Sequence, residues 1–377
     1  MLKTFINGNS VNLTPVGKPP VTFVNGAKKS LVKGITFING EKVILWDSNK
    51  LQINYIDLAS VNGADRDSPI GVFANVDKVI YSSGNNVNRL NTGNFANVTL
   101  DAQVSMGSVL GFSSVDSTDS TAVYYACNSS SSNRTFNQLN IGVGTGEVIA
   151  SNSQSYTGTW SVRTAGYMGK WINANNTGNQ PSGRYIYVKD GDATLYNYQT
   201  LTSSGSLSGY YPGCPNFTKI DANTLVGRLQ IYGGATGIGE FTDSGYVAKG
   251  GLAYVDFLTD GNTVACAGNG FGLYTRNTSG NYVVIKENSG VSGHTDRLVG
   301  KCRGNYYVIA VPDSSSDSGY YLRVFDGSGD LVETIELTGL SGFLSPYASV
   351  VVPQLSKTGY LVFGCSACKK LVVIQCY

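Results

Sequence analysis

Charge is what this sequence has least of. Only 14% of its 377 residues are Asp, Glu, Lys or Arg, and His occurs once, against roughly a quarter charged in ordinary soluble domains. With a formal net charge of +2, the chain has no bulk electrostatic attraction for nucleic acid. Long apolar runs are missing too. None approaches the ~18 residues that a membrane helix needs, and residues 1–25 are broken by Asn, Thr, Pro and Gly where a secretory leader would carry its apolar core. We therefore expect a protein made in the cytoplasm, not secreted by a signal peptide and without a membrane partner. The seven cysteines are an odd number, which in such a protein points to reduced thiols.

What fills the deficit is Gly (47 residues), Tyr (24) and abundant Ser, Thr and Asn. These residues form turns and strands, not helices. The charge is also uneven: residues 1–50 hold seven Lys and two acids, a net +5, which leaves −3 for the remainder. Lysines of this kind keep exposed hairpin edges unpaired, or pair with an acidic surface.

One pattern occurs three times before residue 46. Thr4-Phe5-Ile6-Asn7-Gly8, Thr22-Phe23-Val24-Asn25-Gly26 and Thr36-Phe37-Ile38-Asn39-Gly40 each lead into a second β-prone run. Asn-Gly is the preferred centre of a two-residue hairpin turn, because both positions need positive φ. Isolated hairpins are marginal in water, so three of them need a surface, either the body of the chain or a partner. Residues 1–46 are thus expected to be a docking arm, with Phe5, Phe23, Phe37, Lys28 and Lys29 as its contact residues, and residues 47–377 to be the body.

A second repeat runs through the body. Its core is Ser or Thr, then Gly, a variable residue and a hydrophobic one: Thr92-Gly93, Thr145-Gly146, Ser204-Gly205, Ser244-Gly245, Ser279-Gly280 and Ser328-Gly329, with Ser48-Asn49 as a seventh copy. The mean step is about 47 residues, the spacing of four-stranded propeller blades. Each interval also carries a short apolar run that reads as an inner strand: 78–82, 122–127, 185–189, 224–228, 263–267, 306–311 and 360–365. The expected fold is all-β, a β-propeller of seven four-stranded blades behind a hairpin arm; six or eight blades fit the same period. Residues 51–58 are expected to close the last blade from the N-terminal side, although 43–47 and 370–376 compete for the place beside them.

The candidates for chemistry are weak. His294, in Ser292-Gly293-His294-Thr295-Asp296, has neighbours too close in sequence to form a nucleophile–base–orienter relay, and reads as a loop residue. Cys365-Ser366-Ala367-Cys368 has zinc or redox spacing, but no second such pair exists, and buried thiols packing as small hydrophobes are the simpler reading. The acidic loops 116–119 and 313–317 lack the ligand density of a dedicated calcium loop. We therefore assign no catalytic residue, metal or cofactor. Tyr210, Tyr211 and Trp171 adjoin polar, Gly- and Asn-rich segments, where aromatics grip sugars or proteins or act as lids over blade ends.

The triple Thr-Phe-Ile-Asn-Gly arm resembles the N-termini of tail-associated structural proteins in phages of Gram-positive bacteria, and the low charge and Gly/Ser/Asn/Tyr-rich body are similar to virion proteins. The likeness covers about 46 residues by motif and the rest by composition. It implies a non-enzymatic virion component in a symmetric multi-copy assembly, mounted through its arm on other tail, baseplate or capsid-associated proteins. The body would then be presented to a host-surface glycan or used for assembly. Two other readings stay open: a glycan-acting enzyme, which requires two acids within ~10 Å in an axial pocket, and a cellular protein-interaction scaffold.

Overall fold

Wherever β-branched and aromatic residues alternate with small polar ones, the computed structural model places a strand, and the Gly- and Asn-rich stretches separate the strands. The structure describes strand backbones along the whole chain. It describes side chains in residues 51–63, most of 78–105, parts of 218–249, 256–342 except 315–318, and 353–376 except 357–358.

The arm forms three hairpins. Leu2–Ile6 pairs with Asn9–Leu13, Val21–Val24 with Ala27–Ser30, and Lys33–Ile38 with Glu41–Asp47. The pairings close at Ile6 opposite Asn9, Val24 opposite Ala27 and Ile38 opposite Glu41, so each Asn-Gly occupies the two-residue gap. Each hairpin is a separate two-stranded sheet.

The body is a succession of small antiparallel sheets. The first holds Pro69–Asn75, Lys78–Ser83, Asn86–Asn91 and Thr99–Ser105; the second holds Val109–Ser114, Val123–Ser129, Asn133–Asn140 and Glu147–Ser155. The third holds Thr159–Tyr167, Lys170–Thr177, Tyr185–Asp190 and Thr194–Gln199; the fourth holds Thr218–Asp221, Thr224–Gly227, Ile238–Thr242 and Gly245–Gly250. Tyr254–Asp260, Thr263–Gly268, Gly270–Arg276 and Tyr282–Ser289 make the fifth; His294–Cys302, Asn305–Pro312, Tyr321–Phe325 and Leu331–Glu336 make the sixth. In the seventh, Tyr360–Cys365 pairs with Lys370–Gln375, which pairs in turn with Gln52–Asp57 from the other end of the chain. Just before it, Val350–Val351 lies parallel to the first strand of the first sheet, and Gln354–Ser356 lies parallel to the first strand of the sixth. Gly300 permits the second approach: a Cβ there would overlap the Gln354 carbonyl, and its φ of 157° is one that side-chain-bearing residues rarely adopt.

The competition beside residues 51–58 is thereby resolved. Glu41–Asp47 pairs within the arm, Lys370–Gln375 receives Gln52–Asp57, and the break falls at Ser48–Leu51. The expected strand–turn–strand unit at Asn49 is therefore not a hairpin, because its two flanks pair with different partners.

Gly93 and Gly146 lie outside the described residues; three of the other expected turns do join the third and fourth strands of a sheet, at Gly245, Gly280 and Gly329. The last two have the same construction. Asn277 Oδ1 accepts hydrogen bonds from the backbone N–H of Ser279 and Asn281, and Asp326 Oδ1 accepts from Ser328 and Asp330. Gly280 and Gly329 then take φ of 74° and 86°, where Gly has no steric penalty. Ser204–Gly205 lies outside the described residues; in the third sheet the corresponding hairpin closes instead at Asp190 opposite Thr194.

The apolar runs form the second strand of five sheets; in the third sheet the run at Tyr185–Asp190 is the third strand, and in the seventh Tyr360–Cys365 stands at the end of the three strands. Apolar continuity reflects burial on both faces, and the second strand has a neighbouring sheet on each. Leu361, Phe363 and Cys365 share a core with Tyr307, Ile309 and Val311 of the sixth sheet. The alternating Tyr360 and Val362 share one with Val79, Tyr81 and Leu90 of the first. Tyr306 and Val308 in turn pack with Ala265, Ala267, Phe271 and Leu273 of the fifth, whose Val264 and Cys266 pack with Val226 and Ile238 of the fourth. Complete burial of one such side chain contributes on the order of 1.5–3 kcal/mol.

Candidate functional site

The scarce charges sit where sheets meet. In the fifth sheet, Asp256 interrupts an apolar strand and is fully buried. Arg297, on the first strand of the sixth sheet, grips it with two guanidinium N–H groups, Nε at 2.7 Å and Nη2 at 3.1 Å, and the Leu298 N–H donates to the same carboxylate at 3.0 Å. Three donors offset the cost of taking a carboxylate out of water. The fourth and fifth sheets use the same device. Arg276 donates to Glu240 from Nε at 2.5 Å and from Nη2 at 3.2 Å, and the Tyr282 hydroxyl donates at 2.8 Å. Burial and that hydrogen bond to Glu240 push the Tyr282 hydroxyl well above the usual phenol range.

Asp296 is less well served. It is fully buried and pairs through Oδ2 with Arg323, whose other terminal nitrogen donates to the Ser289 carbonyl, but its Oδ1 has no hydrogen-bond partner. Burial raises its carboxyl to about 6, against the opposing pull of Arg323. His294 begins the same strand and is not a loop residue. Its Nδ1 lies 2.8 Å from the Ser292 carbonyl and its Nε2 lies 3.0 Å from that of Gly319, with the ring edge-on to Tyr321. Both ring nitrogens thus face backbone oxygens, and the side chain ties the strand start to the 319–321 segment. Asp313 accepts from the Thr295 hydroxyl at 2.6 Å. Among the described residues, no three His, Cys, Asp or Glu side chains converge as a metal set requires.

The outer strands differ in kind. Val283, Val284 and Ile285 on the fifth sheet and Leu331 and Val332 on the sixth are exposed, Val332 by 61%. The two strands belong to adjacent sheets: Asn288 Nδ2 donates to the Gly329 carbonyl at 2.8 Å, and Lys286 meets Asp330 at 2.7 Å. Apolar residues on neighbouring outer strands make a surface suited to covering by another protein.

Of the residues expected to bind partners, Phe5, Phe23, Phe37, Lys28 and Lys29 all lie on hairpin strands. Phe23 stands opposite Lys28, and Phe37 opposite Lys42. Trp171 lies on the second strand of the third sheet, opposite Gly166 and Lys189. The side chains of all six, together with Tyr210 and Tyr211 entirely, lie outside the described residues, as does the 116–119 acidic loop. Sequence reasoning passed over Asp256, Arg297, Arg323, Glu240 and the outer apolar residues. The signal for the charges was present: in a chain so poor in charge, Asp256 between Val255 and Phe257 and Arg323 between Leu322 and Val324 mark ionic ties buried in apolar strands.

No protein-family model matches the sequence, and no curated protein matches it. Solved structures are similar in fold. A chain in the crystal structure of the mitotic checkpoint complex matches with a TM-score of 0.51 at 10% identity, over 86% of this chain and 91% of that one. A functionally unknown protein from Desulfotomaculum acetoxidans matches at 0.44 with 15% identity, over 74% and 85%. Saccharomyces cerevisiae Sqt1 matches at 0.43 with 12% identity, over 82% of each chain. The first likeness, with the strand order above, makes the fold all-β and propeller-like; at such identity it speaks to fold alone.

Proposed function

We propose that this chain is a seven-bladed β-propeller and a structural component of a phage virion, fixed to neighbouring tail, baseplate or capsid-associated proteins through its N-terminal arm and presenting the propeller for host-surface binding or further assembly. The seven sheets of the body support seven blades. Two features of the seventh support ring closure: its last strand in pairing order is Gln52–Asp57, and its core is continuous with that of the first sheet. Closure leaves no open sheet edge between the chain ends.

The observation that carries the functional reading is the arm. Residues 2–47 form three separate hairpins and contribute no strand to the sheets of the body, and two-stranded hairpins are too weak to stand alone. A chain that spends an eighth of its length on such units has a partner surface for them. The arm also enters the body at the closing strand, so its partner holds the propeller by the seam. The exposed Val283–Ile285 and Leu331–Val332 rim offers the body a second protein contact.

Deleting residues 1–46 tests this. We expect a folded, monomeric body that keeps a β-sheet far-ultraviolet spectrum and a cooperative unfolding transition but no longer enters particles, read by immunoblotting and electron microscopy of virions made with the shortened chain. Normal incorporation of the shortened chain would overturn the docking role.

A further inference from the structure

The seventh sheet reverses direction through four residues, Ser366 to Lys369, between Cys365 and its pairing partner Lys370. Cys365 ends one strand and Cys368 lies within the turn, so the C-x-x-C spacing folds the two sulfurs together at 2.7 Å. Their surroundings are unequal. Cys365 is fully buried with the Tyr320 hydroxyl 3.9 Å behind it. Cys368 is only half-buried and opens towards solvent beside exposed Ala367.

The electrostatics follow the same division. Once Cys368 ionises, the Cys365 thiol donates to it, the Ser341 N–H donates as well, and Lys370 lies near; together they bring Cys368 down to about 7. The contact with Cys368 and burial hold Cys365 far above the ordinary thiol range. An accessible, readily ionised sulfur against a buried, protonated one is the arrangement that thiol–disulfide exchange requires.

We propose that Cys365 and Cys368 are a thiol–disulfide exchange site whose substrate is a low-molecular-weight disulfide, with Cys368 the attacking sulfur and Cys365 the resolving one. The Cys368 thiolate attacks one sulfur of the substrate, forming a mixed disulfide and expelling the other half as a thiolate. Cys365 gives its proton to that departing thiolate. Its sulfur then attacks Cys368 Sγ, forming the internal disulfide and releasing the second half. Two protein thiols lose two electrons and the substrate gains them as two thiols, so no other oxidant is needed. The bond closes a loop of only four residues and constrains little of the unfolded chain; its consequence is chemical. The fully buried Cys302 and Cys376, also in mutual contact, bracket the link from the sixth sheet to the chain end but have no access to substrate.

The test uses the full reduced chain equilibrated in buffers of reduced and oxidised glutathione, acid-quenched, alkylated and mapped by mass spectrometry. We expect one linkage, Cys365 to Cys368, formed reversibly with a two-electron dependence on the glutathione ratio. Cys368 should alkylate at least about tenfold faster at pH 7 than Cys302 or Cys376. Cys365→Ser should stop at a glutathione adduct on Cys368, and Cys368→Ser should take up none at Cys365. Should Cys365→Ser not fold, the mapping of the unsubstituted chain decides alone. Absence of the linkage at every ratio, or glutathione held at Cys365, would overturn the proposal. Neither result bears on the virion role, which rests on the arm.

Discussion

Among the described residues the fifth and sixth sheets are tied by opposite charges at three places, Asp256–Arg297, Asp260–Lys301 and Lys286–Asp330, and the first and last of these ties are unlike. Near the first strands, Asp256 and Arg297 have 0% and 5% of their side chains exposed and share two hydrogen bonds, and the Leu298 N–H donates a third to the carboxylate. At the outer strands, Lys286 and Asp330 meet at the same 2.7 Å but are 45% and 60% exposed. Distance is equal and environment is not. The inner pair is desolvated, so each member depends on the other; the outer pair is screened by water and salt. Between them Phe271 stacks on Phe325 at 4.2 Å and meets Tyr306 at 5.5 Å. Cohesion between sheets is therefore concentrated inward, which leaves the rim free to carry apolar residues for a partner.

Breaking the inner tie should have the largest effect. Asp256→Ala removes the buried carboxylate that the Arg297 guanidinium grips, and we expect a loss of about 3–5 kcal/mol in urea unfolding. The pair itself is replaceable. Asp256→Leu combined with Arg297→Met should recover most of that loss, because apolar groups of similar volume pack there without desolvation cost. If Asp256→Ala cost under about 1 kcal/mol, well short of the range for breaking a buried pair, the inner tie would be no stronger than a surface pair and the contrast would fail.

The next effect is a pH dependence at Asp296, buried like Asp256 but with one oxygen unpartnered. Its folded-state carboxyl is raised to about 6, above the unfolded value of about 3.9. Between these limits the folded state holds the proton more firmly. The group's contribution is fully present below about pH 4 and is lost as pH rises through 6, a total on the order of 3 kcal/mol. Arg323, His294 and Asp313 face the same carboxyl, so the reading must be differential. Subtracting the stability of Asp296→Asn from that of the natural chain at pH 4, 5, 6 and 7 should give a difference that falls steadily. A flat difference would mean that Arg323 offsets the desolvation of the Asp296 carboxylate in full.

Local rules were the legible part of this fold. The three Asn-Gly hairpins, three of the Gly turns and the pairing strand at residues 52–57 were readable because turn chemistry and period-2 alternation act within a few residues. Roles within a sheet were harder to read. An apolar run such as 306–311 announces burial on both faces, and the second strand satisfies that as well as the first. In the third sheet the apolar run fell one strand later and the turn near Asp190 took the place expected for Ser204. The buried ions were missed because their partners lie far away in sequence: Asp256 and Arg297 are separated by 41 positions, roughly one repeat, and nothing local links them. Cys365 and Cys368 were visible as a motif, but their unequal exposure arises from the way the turn is folded.

The smallest effects lie on the rim, where two sister turns provide an internal control. Gly280 and Gly329 occupy equivalent positions with φ of 74° and 86°. Alanine at either carries the left-handed penalty of about 1–2 kcal/mol. At Gly280 the added carbon would meet only the Lys249 Nζ at 3.7 Å and the Arg276 Nη2 at 3.9 Å, ordinary contacts. At Gly329 it would lie 2.8 Å from Lys286 Cβ, so Gly329→Ala must also push the fifth sheet's outer strand aside and should cost about 1–3 kcal/mol more. Lys286→Ala keeps that Cβ and removes the rest of the side chain with its exposed ammonium, so it should leave the unfolding midpoint nearly unchanged and leave most of the Gly329→Ala damage in place, since the 2.8 Å contact is with the Cβ itself. If Lys286→Ala rescued Gly329→Ala, the obstacle would be the Lys286 side chain beyond Cβ and not the strand itself, and the two sister turns would differ only through a movable side chain.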